Sequence, residues 1–267
     1  MNTAVLRRAI ARRRRSGLVR FAHRVAGLFE EAYQNVGAEA SWNGEFDLLA
    51  RLAPADLHTV LDVGANLGDW AFEALRHWPS SVVHAFEIAP PTAAALASRI
   101  AETGVASRLT LNRIGLGSTD TNVEIHYYPD HPDLTCDRDR FPAYRSETMH
   151  APITTGDHYR AAAGIERIDF LKIDVEGAEM TVLEGFRDTI ATGAVRMIQF
   201  EYGAFSIDTR VLLQDYYRLL APQYLMGKIY PGFVDFKDYN WRDESFQFSN
   251  YLCVSRQEPA LVERAAG

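Results

Sequence analysis

Two short stretches gather side chains that can do chemistry. The first, Asp62-Val63-Gly64-Ala65-Asn66-Leu67-Gly68, combines a carboxylate with two glycines. The glycines permit a tight turn and a close approach of backbone to a ligand. Farther on stands Glu87, where a second apolar run ends. An acid there can accept hydrogen bonds from both ribose hydroxyls of a nucleoside cofactor. A plain glycine turn beside a solvated acid is the bland alternative, but turn, helix and acid in this order favour cofactor binding. The second stretch runs from Ile168 to Glu179 and ends an apolar segment in Asp174 and Glu176, while Glu201 ends the next such segment. These acids can take a proton, hold a hard divalent ion such as magnesium, orient substrate or cap a helix. Asp174 is the first choice for a general base. His158 is the reserve, because neutral imidazole is the commoner base. His126, His131, His150 and His158 lack the spacing of a zinc site.

The glycine spacing bears on which cofactor is bound. A dinucleotide rests its pyrophosphate on backbone amides, and a middle glycine permits that approach. Here the pattern is G-x-x-x-G, Asn66 stands near the middle, and Asp62 would repel a phosphate. S-adenosylmethionine carries a sulfonium and an α-ammonium and no phosphate. The motif therefore favours a methyl donor over a nicotinamide cofactor.

The elements that must position these residues read as an alternating α/β pattern. Strands are expected at Thr59–Val63, Ser81–Phe86, Leu109–Asn112, Ile168–Ile173 and Val195–Phe200. Helices are expected over about Asp69–Trp78 and Pro91–Thr103. Val123–Tyr128 reads as an extra β segment, and Leu225–Tyr230 and Phe248–Val254 as closing antiparallel neighbours. Ile168–Ile173 and Val195–Phe200 are near-continuous apolar runs, as buried central strands require. Residues 129–152 and 231–247 read as long irregular stretches. Both are expected near the carboxyl edge of the sheet, where ligands bind in open α/β folds.

Composition is that of a globular protein: 267 residues, 47% hydrophobic and 24% charged. No apolar run reaches the ~20 residues of a membrane span. The basic start has no apolar core or cleavage site of a signal peptide behind it. Cys136 and Cys253 show neither metal-ligand nor disulfide spacing, so a cytoplasmic location is expected. Charge is uneven. Residues 1–24 hold eight arginines and no acid, so the chain's net −7 leaves −15 on the remainder. An acidic body opposes nucleic-acid backbones, so no nucleic-acid partner is expected. Apolar residues recur at helical spacing from Leu18 to Val36. The simpler reading is a helix packed on the domain with a solvated arginine tail. The sharper one is a peripheral tether to anionic lipid at the inner face of a membrane, or to acidic polymer.

Taken together, the two motifs resemble the FkbM family of S-adenosylmethionine-dependent methyltransferases. Further matches are Asn43-Gly44-Glu45, Phe86-Glu87, Gln199-Phe200-Glu201, Gly227-Lys228-Ile229-Tyr230-Pro231 and Asn250-Tyr251-Leu252, so the resemblance covers roughly residues 40–255. Two departures are Ile88, where the family often has proline, and Thr155-Gly156-Asp157, where it often has Thr-Leu-Asp. The resemblance implies a class I, Rossmann-like fold: a mostly parallel seven-stranded sheet of order 3-2-1-4-5-7-6, its last strand antiparallel, with helices on both faces. It implies O-methylation of sugars in glycolipids, polysaccharides or glycosylated natural products, or of polyketide hydroxyls. It places Glu87 on the ribose, Gly64 and Gly68 around the methionine moiety, and Ile88 and Ile114 near adenine. With Asp62, Ala65 and Asn66, and with Glu45 either lining the pocket or solvated at a helix start, these form the expected cofactor site. The expected organisation is a basic helical extension over 1–40, a methyltransferase domain over 41–256 and a C-terminal tail over 257–267. A nicotinamide-dependent oxidoreductase and a noncatalytic cofactor-binding module are the alternatives.

Overall fold

The computed structural model describes residues 3–267. The chain divides into two compact units, the first ending at Gly37 and the second running Ala38–Gly267. The first holds helices α1 (Thr3–Arg12) and α2 (Gly17–Tyr33). Ser16 caps α2, its hydroxyl accepting from the Val19 amide at 3.3 Å. No residue of either helix is buried, so the helix expected from Leu18 forms but its apolar stripe is exposed.

The second unit opens with α3 (Glu45–Leu52) and β1 (Thr59–Val63). There follow α4 (Asp69–His77), β2 (Val82–Phe86), α5 (Pro90–Thr103), β3 (Leu109–Asn112), β4 (Gly115–Leu116), β5 (Thr121–Tyr127) and β6 (Glu147–Thr154). Next come α6 (Gly156–Ala162), β7 (Ile168–Ile173), α7 (Glu179–Gly185), α8 (Arg187–Ala191) and β8 (Val195–Tyr202). The unit closes with α9 (Phe205–Thr209), α10 (Leu213–Leu220), β9 (Tyr224–Tyr230), β10 (Phe233–Phe236), β11 (Ser249–Ser255) and α11 (Pro259–Ala266).

The main sheet has the order β3-β2-β1-β7-β8-β11-β9-β10. Its first seven strands reproduce the 3-2-1-4-5-7-6 arrangement, with β11 antiparallel to β8 and β9. It is nevertheless eight-stranded, because β10 extends the edge from within the stretch expected to be irregular. β4, β6 and β5 form a separate three-stranded sheet. β6 occupies residues assigned to the first long loop, which shortens that loop accordingly. The expected tail is also structured: α11 buries Leu261 and Ala265, and the Arg51 guanidinium donates to the Ala265 carbonyl.

Helices cover both faces, as the buried strands demand. Val60, Phe170, Met197 and Leu252 face a core shared with α3, α4, α5 and α11. Leu61, Leu171, Ile198 and Tyr251 face the opposite core with α7, α8 and α10. All six residues of β7 are buried. Register pairs Val63 with both Phe86 and Ile173. The residues following these strand ends therefore meet at one edge of the sheet: Gly64 after β1, Glu87 after β2 and Asp174 after β7.

Candidate active site

Gly64 occupies the point where these ends converge. Its φ is +82°, and a Cβ there would overlap the Asp174 carbonyl oxygen. Only glycine fits both conditions. Two cavities meet at this residue. A cleft of about 720 Å³ is lined by Glu45, Gly64, Ala65, Asn66, Trp70, Lys172, Asp174, Glu176 and Glu201, among others. An apolar pocket of about 180 Å³ is lined by Phe86, Ile88, Gly115, Leu116, Val175, Ala178 and their neighbours, and Gly64 borders it too.

Glu87 stands behind this junction. It is 6% exposed and is not among the residues lining either cavity. Its carboxylate accepts from the Asn66 amide at 2.9 Å and the Ala89 amide at 2.8 Å, joining the glycine turn to the start of α5. Burial pushes its pKa up to about 7, against the pull of these amides. Glu45 opens α3 and is buried. It accepts from Asn43 at 2.7 Å, Gln199 at 2.6 Å and Asn250 at 2.9 Å. It is thus a wall of the cleft rather than a solvated helix-start acid.

Other expected residues take different places. Asp62 is fully buried beneath the turn, and its charge faces Lys172 Nζ at 3.5 Å instead of the cleft. Gly68 is not a lining residue; it precedes α4 at φ +85°, where a Cβ would strike Leu96. Ile114, partly buried, packs against the core of one sheet face, while its neighbours Gly115 and Leu116 line the pocket. His158 is removed from the chemistry altogether. Its side chain, 62% exposed, bonds Asp120 at 2.8 Å on the surface. His150 is likewise exposed, on β6.

The acids converge. Asp174, Glu176 and Glu201 each place one carboxylate oxygen within 4.8 Å of the others. Burial, then the charges of Asp174 and Glu179, raise Glu176 to about 9. Burial and the charges of Asp174, Glu176 and Glu179 hold Glu201 well above the usual carboxylate range. Three acids this close cannot all ionise without a positive counterpart. Lys172 supplies part of it, donating to Asp174 Oδ2 at 3.0 Å. Burial opposes its charge, but Asp174, Asp62 and Glu45 together raise its pKa. Lys172 was absent from the residues expected at the site. Its one sequence signal is a lysine between Leu171 and Ile173 in a buried central strand.

The donor set suits a cationic ligand with a flat apolar end: acids line the large cleft and aliphatic groups the small pocket. Comparison with known proteins agrees. The model of the methyltransferase FkbM domain matches residues 62–224. This chain belongs to the FkbM methyltransferase family. Methyltransferase 1 of Beauveria bassiana is 29% identical over 146 residues, covering 48% of this chain and 58% of that protein. The 31-O-demethyl-FK506 methyltransferase FkbM of Streptomyces tacrolimicus is 32% identical over 165 residues, covering 51% and 62%. The 2-O-methyltransferase NoeI of Sinorhizobium fredii is 27% identical over 158 residues, covering 54% and 62%. The chain thus spans about three-fifths of the length of these relatives. An FkbM methyltransferase domain fits both the glycine turn and the sheet order.

Proposed function

We propose that this chain transfers the methyl group of S-adenosylmethionine to a hydroxyl oxygen of a sugar, glycolipid, polysaccharide or glycosylated or polyketide natural product. The observation that carries the reading is the meeting of an apolar pocket and an acid-lined cleft at Gly64. Two relatives whose names specify transfer to oxygen support the choice of acceptor atom. When bound, the cofactor supplies a methyl carbon activated by its sulfonium.

The protein's own tasks are then alignment and proton removal. Ile88, Gly115 and Leu116 would hold the adenine, and Glu87, behind the junction, fixes the Asn66 and Ala89 amides that shape the place of the ribose between the cavities. Ala65 and Asn66 bound the methionine end. An alcohol is a weak nucleophile at neutral pH, so a group at the cleft must take its proton as the new bond forms. The Asp174, Glu176 and Glu201 carboxylates occupy that place, and Asp174 is the member held in position by an ammonium. Their clustered oxygens favour a second reading, in which they seat a hard divalent ion such as magnesium that acidifies the hydroxyl. Exhaustive chelation separates the two: unchanged activity leaves the acids as the base, and loss restored by magnesium assigns the ion.

The net charge of −15 over residues 25–267 favours a neutral or cationic acceptor over nucleic acid. Two free, buried cysteines, Cys136 and Cys253, support a reducing compartment, the cytoplasm. A screen of glycans, glycolipids and nucleic acids with isotopically labelled donor tests the proposal. Label on a hydroxyl oxygen is expected. Label on nucleic acid or nitrogen, or tight binding of NADH in place of the methyl donor, overturns it.

A further inference from the structure

The first unit has no part in the chemistry above, yet its composition is the most biased in the chain. All eight of its arginines are exposed, and no acid appears before Glu30. Successive residues of an α-helix advance by about 100°. On that count Leu18, Phe21, Val25, Leu28, Phe29 and Tyr33 share one half of the circumference of α2. The alanines of α2 fall in the same half, and Arg20, His23, Arg24, Glu30 and Glu31 in the other. The apolar half is in water: Leu18 is 78% exposed and Phe29 69%. Arg12–Arg15 sit just before α2, at the positive end of its dipole, where cations are disfavoured unless anions neutralise them.

We propose that α1 and α2 form a membrane-surface anchor for anionic phospholipid. The apolar half of α2 enters the headgroup–acyl boundary, and the arginines meet lipid phosphates and carboxylates. Both halves of the pattern are then satisfied at once, which is what an in-plane amphipathic helix requires. An acidic polymer would neutralise the arginines and leave the apolar half in water. A second copy of the chain would bury the apolar half and double the crowding of arginine charge. Among the described residues no helix is long and apolar enough to cross a membrane, so the contact is one of surface and charge.

The test is co-sedimentation of the full chain with phosphatidylcholine vesicles containing roughly one-third phosphatidylserine. Omitting the anionic lipid, or raising salt from about 0.1 M to about 1 M, is expected to cut the bound fraction by about tenfold or more. Phe21→Asp with Leu28→Asp keeps every arginine and should cut binding by a similar order. Replacing Arg12–Arg15 by glutamine should do the same and serves if the first variant fails to fold. Unchanged donor affinity in either variant shows that the methyltransferase domain is intact. Equal binding to pure phosphatidylcholine overturns the proposal. So does wild-type vesicle binding by the Asp variant, which assigns the arginines to a general acidic polymer. Self-association that the Asp variant abolishes, without vesicle binding, also overturns it and assigns the face to a second copy.

Discussion

At the scale of single residues, the cleft is an arrangement of acids around Lys172; one of those acids, and Glu87 behind the turn, carry separable predictions. Asp174 contributes its side chain to the cleft and its carbonyl oxygen to the close approach at Gly64. Asp174→Asn keeps that carbonyl, so the fold and donor affinity should survive while turnover falls by about a hundredfold or more. Single-turnover kinetics beside calorimetric donor affinity checks this; near-normal turnover would move the base to Glu201 or Glu176. Glu87 predicts a pH dependence. Its ordinary value of 4.5 is raised to about 7, so the folded protein holds that proton more tightly than the unfolded chain. Its contribution to stability therefore falls as pH climbs from about 4.5 to about 7. The Asn66 and Ala89 amides that shape the turn bind the ionised form, so donor affinity should rise between about pH 6 and pH 8, by up to about tenfold. Titration calorimetry in the wild type and Glu87→Gln checks it, and the variant should lose most of this dependence.

At the scale of elements, legibility followed local apolar pattern. Thr59–Val63 and Ile168–Ile173 have the bounds their sequences suggest, because runs of this kind have few other ways to be buried. β6 reads as loop in the sequence because exposure alternates along it without an apolar run: only Ala151 is buried, and Thr148, His150 and Pro152 are exposed. β10 is four residues long, with only Val234 buried, and gains its place by pairing with β9. The site shows the same division. The turn, Glu87, the acids after β7 and Glu201 near the end of β8 are sequence-local and legible. The Lys172–Asp62 pair joins residues far apart in the chain and was not. Ile114 was one position out of phase with the residues that face the pocket. His158 was assigned by residue type alone, and its position at the start of α6 ties it to Asp120 instead. α11 was read as a tail because it is short, yet it covers α3 and the edge of the sheet. Leu261→Ala should cost about 2–4 kcal/mol in denaturant unfolding without altering donor affinity. An exposed-site value below about 0.5 kcal/mol would mean the helix is not docked.

At the scale of the whole molecule, charge and function are divided between the two units. The first is strongly basic; every residue lining the cleft and the apolar pocket belongs to the second. Deleting residues 1–37 should therefore leave a folded protein with unchanged affinity for the methyl donor. Calorimetry on the shortened chain is the check, and lost affinity would show that the first unit supports the domain. Vesicle binding should disappear in the same protein. One deletion thus measures the catalytic domain and its anchor independently.

The surplus of acid around Gly64 also bears on how the reaction ends. Methyl transfer turns a sulfonium into a neutral thioether and passes the acceptor's proton to the acids, so the positive charge moves from the ligand to the wall until that proton leaves for solvent. Once the proton has gone, the spent molecule keeps its ammonium and its purine but no longer balances the carboxylates facing it. The cleft is in this sense spring-loaded for product ejection, with the reaction itself as the trigger. S-adenosylhomocysteine should bind more weakly than the donor, and added salt should narrow the gap by screening the carboxylates. Paired titrations at low and high salt would show it, and equal or tighter product binding would mean that the acids are neutralised before the donor arrives.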